Sequence, residues 1–112
     1  MQIPPVENWP NGPGTSLRLL FASAGFKACP RCLAIAWQLT EVGPGGCRDG
    51  LDGIVDSILP QALGWAREKH RLAARLFGAV GLDVPLLKTA IRTCVLRAIA
   101  ESEAAEAITN AS

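Results

Sequence analysis

Tyrosine is absent from this chain, histidine and methionine occur once each, and three tryptophans and three phenylalanines supply all its aromatic surface. With one histidine and no nucleophile motif, little is available for acid-base or covalent catalysis, so no enzymatic activity is expected. Charge is scarce as well. Charged residues make up 19 % of the chain and the net charge is +1, which excludes both a disordered polyampholyte and a generally basic nucleic-acid binder. The longest apolar runs fall far short of a membrane span, so no membrane partner is expected. The first thirteen residues lack the basic start of a secretory leader, which makes the cytoplasm the expected location. Neither an internal repeat, a coiled-coil heptad run nor a strand pattern is visible.

What remains is helical. A chain of 112 residues has room for one domain with one modest core, burying roughly two thirds of its unfolded surface. Residues 1–14 carry Pro4, Pro5, Pro10 and Pro13 and read as an extended arm, whose Ile3 and Trp9 are apolar enough to lie in a groove of this domain or of a partner. Thr15 or Ser16 is placed to cap a short helix that Gly25 would stop in the left-handed region. Pro30 suits the first turn of a second helix, apolar almost all round, that ends at Gly43.

A third helix starts near Cys47, with Leu51, Ile54, Val55, Ile58 and Leu59 on one stripe. Pro60 is expected to break or restart it, and a fourth stretch keeps a helical period to Gly81. Asp83 caps the last helix, with Pro85 in its first turn and Leu87, Ala90, Ile91, Cys94, Val95 and Ala98 along one face. Glu101, Glu103 and Glu106 oppose the macrodipole at its far end, so fraying is expected after Ser102, leaving 103–112 as a tail. The predicted fold is a single all-α domain of four to five helices over 15–102, stapled by a cysteine-bound metal.

The staple is read from Cys29-Pro30-Arg31-Cys32 and from Cys47, which follows the turn Gly43-Pro44-Gly45-Gly46. Two residues between thiolates let both sulfurs approach one ion, and amides of the following turn lower their pKa. Cys29, Cys32 and Cys47 are therefore the expected metal ligands, with zinc as the metal and an iron-sulfur cluster or a dithiol redox pair as alternatives. A fourth ligand is missing. Cys94 sits in an apolar stripe, where a lone cysteine is first a small core residue, and His70 lies among charged neighbours.

Other polar groups admit plainer readings. Arg67, Arg71 and Arg75 recur at i, i+4 and i+8 and could hold phosphates, but Glu68 balances them and no aromatic residues interleave for base stacking. Asp49, Asp52 and Asp56 line the polar side of the third helix without any sign of burial. The Gly-Pro-Gly-Gly turn lacks the Lys and Ser/Thr of a phosphate-binding loop. Trp37 and Trp65 fall at core positions and read as packing residues.

Gly14-Thr15-Ser16-Leu17, Cys29-x-x-Cys32, Gly43-Pro44-Gly45-Gly46-Cys47-Arg48, Ile54-Val55 and Ala90-Ile91-Arg92 together resemble a family of small bacterial and phage-borne helical proteins with the same three-cysteine pattern. The chain departs from that pattern at Gly50, where a polar residue is expected, and at Cys94, where an aliphatic one is more usual. The resemblance supports treating the three cysteines as one unit and implies no particular activity. The expected function is a non-enzymatic accessory or interaction subunit of a larger assembly, recognising a protein partner through the arm and residual apolar surface. The alternative is a nucleic-acid-associated phage or mobile-element protein acting through the Arg67, Arg71 and Arg75 face.

Overall fold

Five α-helices follow one short 3-10 turn (Val6–Asn8) in the computed structural model, which describes residues 3–26, 30–78 and 83–111. They are α1 (Pro13–Ser23), α2 (Pro30–Asp49), α3 (Leu51–Glu68), α4 (His70–Phe77) and α5 (Val84–Ala111). No strand occurs among the described residues, and the helices pack as one compact all-α domain. The 28 residues of α5 would span about 42 Å at 1.5 Å per residue. That length matches the 43 Å long axis of the molecule, against which α1, α3, α2 and α4 are laid.

Several helix ends follow local chemistry. Gly25 takes φ +99°, its N–H bonds to Ala22 O, and Phe26 N–H reaches back to Phe21 O. This is a Schellman closure, and the apolar contact that accompanies such closures is here the Phe21–Phe26 ring pair, 6.4 Å between centroids. Gly43 breaks α2 with φ +75° and ψ 176°, and Pro44 restarts helical geometry through Asp49. Asp83 Oδ1 accepts from Leu86 N–H at 3.0 Å, satisfying an orphan donor at the start of α5.

Other ends differ from expectation. The start of α1 lies at Pro13, ahead of Thr15 and Ser16. A proline at N1 loses nothing, because that N–H has no intrahelical partner anyway. The Thr15 N–H is instead capped from another helix, by Thr40 Oγ1 at 3.0 Å. Pro60 does not break α3, since Val55, Ile58 and Ala62 stay in phase across it and remain buried. The break falls at Lys69, φ −132° and ψ 51°, and α4 ends at Phe77 before Gly78 with φ +80°. The expected end at Gly81 lies outside the described residues.

Nor does α5 stop at Ser102. It runs on to Ala111, because Glu103 forks onto Arg48 with both N···O distances at 2.5 Å and Glu101 pairs with Arg97 at 3.0 Å. Basic partners thereby neutralise two of the three carboxylates that oppose the macrodipole. Asp52 pairs with Arg92 and Asp56 with Lys88, tying α3 to α5 along an exposed edge.

The arm is folded onto the domain. Trp9 is 8 % exposed, its ring 5.4 Å from that of Trp37, and its indole N–H donates to Pro4 O at 2.9 Å. Asn11 Nδ2 donates to the carbonyl of Ser102 at 2.9 Å, joining the arm to α5. Of the two destinations open to Trp9, the structure takes the intramolecular one.

Candidate functional site

Cys47 is fully buried in the core with Leu39, Val55 and Ile99. Its thiol donates to Leu39 O at 3.4 Å, and burial pushes its pKa up. A protonated thiol in apolar surroundings behaves as a small hydrophobe, not as a thiolate ligand. Cys32 is half-buried on the first turn of α2, seven residues before Leu39. Seven helical residues advance about 10 Å along the axis. A shared zinc needs both sulfurs at about 2.3 Å from one ion, and these two stand about two helical turns apart. They do not fit a common ion.

Cys29 lies outside the described residues. Among the described residues, no group of three or more His, Cys, Asp or Glu side chains is placed to hold a metal. Cys94 occupies the core, with its thiol 3.5 Å from Leu76 O. Burial raises its pKa against the opposing pull of Arg97.

The arginine face is divided by the break at Lys69. Arg67 ends α3 while Arg71 and Arg75 belong to α4, so the three do not lie along one continuous helix. All three are exposed, as is His70. Arg75 also borders a cavity of about 310 Å³ shared with Leu20, Ser23, Thr93, Cys94 and Arg97.

A smaller cavity, about 100 Å³, opens where the end of α1 meets the start of α2 and Trp65 of α3. The Schellman closure builds two of its walls by turning Phe26 back beside Phe21. Trp65 completes an aromatic cluster with ring centroids 5.3 Å from Phe21 and 4.5 Å from Phe26. Cys32, Leu33 and Ala36 face it from α2, and Arg18 from α1. Sequence reasoning missed Arg18. Its signal was one cation inside the apolar run Leu17-Arg18-Leu19-Leu20-Phe21.

The outer side of α5 is the other distinctive surface. Leu86, Thr93, Leu96, Ala100, Ala104 and Ile108 are all exposed and wind within about a third of the helix circumference. Leu86 is 54 %, Leu96 40 % and Ile108 73 % exposed. Ser102 is buried and none of residues 103–108 is, so this stretch of α5 stands beyond the core. No helix among the described residues is long and apolar enough to cross a membrane.

No family model matches the chain, and no curated protein or solved structure matches it either.

Proposed function

We propose that this chain is a non-enzymatic accessory subunit that docks onto a protein partner through the outer side of α5. The observation that carries the reading is the run of exposed Leu86, Leu96 and Ile108 on the face turned away from the domain. Large apolar side chains exposed along one side of a helix, with small residues between them, support an interaction reading. Trp9, the other apolar candidate for contact, is already buried against Trp37. Arg67 lies on α3 and Arg71 and Arg75 on α4, so the three do not share one continuous helix, which favours the docking reading over a nucleic-acid one.

A photoreactive residue placed at Leu96, at Ile108 and, as a control, at exposed Glu41 on α2 tests this in the native cell. The expected result is one discrete adduct from Leu96 and Ile108, none from Glu41, and its loss when Leu86→Glu is added. Equal labelling from all three positions, or none from α5, would overturn the reading.

A further inference from the structure

Among the described residues, Arg18 is a half-buried arginine without an ion pair. Its Nε is shut off from solvent and has no hydrogen-bond partner, and the ion pairs found among the described residues engage Arg48, Lys88, Arg92 and Arg97 instead. The guanidinium carbon lies 5.9 Å over the Trp9 ring. That contact engages the face of the cation and leaves Nε without an acceptor. Arginine cannot relieve the cost by losing its proton, so the charge stays.

The terminal guanidinium nitrogens are not shut off in this way, and the cavity that Arg18 borders gives an acceptor room to reach them. Its remaining described walls are Phe21, Ala22, Phe26, Cys32, Leu33, Ala36 and Trp65, none of them charged. One cation against apolar and aromatic walls matches one negative charge on an apolar body. A phosphate dianion would call for further cations, which these walls lack. Guanidinium N–H groups lie in a plane and present a fork that fits a carboxylate edge. Size narrows the class further: an enclosed apolar cavity of about 150 Å³ admits benzene, and this one is smaller, about 100 Å³ and open on one side, so it takes a short branched chain or a single ring that stays partly in the mouth. We propose that this cavity binds a small organic monocarboxylate, its carboxylate on Arg18 and its body, one ring or a short branched chain, against Phe21, Phe26 and Trp65. The site is separate from the outer side of α5 and does not depend on the docking reading.

Sodium benzoate, with neutral benzyl alcohol as its uncharged counterpart, serves as the probe on the full chain. Titration is followed by the NMR resonances of the Arg18 guanidinium and by calorimetry. Benzoate should saturate one site per chain, move the Arg18 resonances downfield and bind at least about tenfold more tightly than benzyl alcohol, as expected of a charge-assisted bond. Arg18→Gln should erase that difference while the melt stays cooperative. Ala22→Trp, made at an exposed position on the cavity wall, should block both compounds, and this variant tests the site even if Arg18→Gln fails to fold. Equal affinity for the two probes, saturation by inorganic phosphate in place of benzoate, or Arg18 resonances that stay fixed at millimolar benzoate would overturn the proposal.

Discussion

A β-carbon at Gly14 would stand 1.6 Å from the carbonyl oxygen of Ala36. The two helices α1 and α2 therefore cross with backbone against backbone, and only a residue without a side chain fits between them. This closeness brings Thr40 Oγ1 within 3.0 Å of the Thr15 N–H, so the side chain that caps α1 comes from α2. Thr15 Oγ1 in turn donates to Pro10 O at 2.7 Å, and the arm is fastened at the same crossing.

Gly14→Ala should therefore destabilise the domain by about 3 kcal/mol, because the clash is with backbone that cannot rotate away. Gly64→Ala is the informative contrast. Gly64 lies within α3 with nothing within 4 Å of its notional β-carbon, so alanine there should stabilise by about 0.5 to 1 kcal/mol through helix propensity alone. Urea denaturation measures both. Loss of equal size at the two positions would mean that the crossing is not the tight point of the fold.

What was legible in the chain was what depends on near neighbours. Gly25 and Gly43 were marked as helix ends by a conformation that other residues resist, and Asp83 by the hydrogen bond a short carboxylate makes to the next turn. The course of α3 through Pro60 was not legible, because the gain from keeping Val55, Ile58 and Ala62 buried comes from other helices. Glu103 likewise needs Arg48, 55 residues away, to hold it in a helix. The distance between Cys32 and Cys47 was not legible either, for a simpler reason. The helix from Cys32 to Gly43 carries the chain lengthwise, and Cys47 folds back only as far as Leu39. Motif spacing alone does not account for that axial advance.

The buried thiols should make the protein sensitive to alkali. Burial raises the folded pKa of Cys47 and Cys94 above the unfolded value, so the neutral thiol is the form that folding prefers. Their contribution is complete below the unfolded pKa, about 8.5, and falls as pH rises through it until the folded value is reached. Each thiol can then cost at most about 1.4 kcal/mol per pH unit. With no tyrosine in the chain, few other groups cloud that window. Denaturation curves from pH 7 to pH 10 should show this decline, and Cys47→Ala with Cys94→Ala should flatten it at an initial cost of about 1 kcal/mol each. An unchanged slope in the double variant would sink the account.

The fork between Arg48 and Glu103 should govern the end of α5 on the acid side. Arg48 donates through both terminal nitrogens to the two carboxylate oxygens, and these hydrogen bonds hold the Glu103 carboxyl below its ordinary pKa. A lowered folded pKa means that the contribution is present above the unfolded carboxylate value, about 4.3. It is lost as pH falls through the lowered folded value. Both groups are exposed, so the effect is local and salt-sensitive, and the place to read it is the helix end. In hydrogen exchange at pH 7, Arg48→Ala should speed the amides of 104–108 while leaving those around Ile91 and Val95 protected. Glu103→Gln should melt below the parent protein at pH 7, and the gap should close as pH is taken below 4 or as salt is raised. A gap that persists unchanged into acid would show that the helix end is held by packing, and that the fork only decorates it.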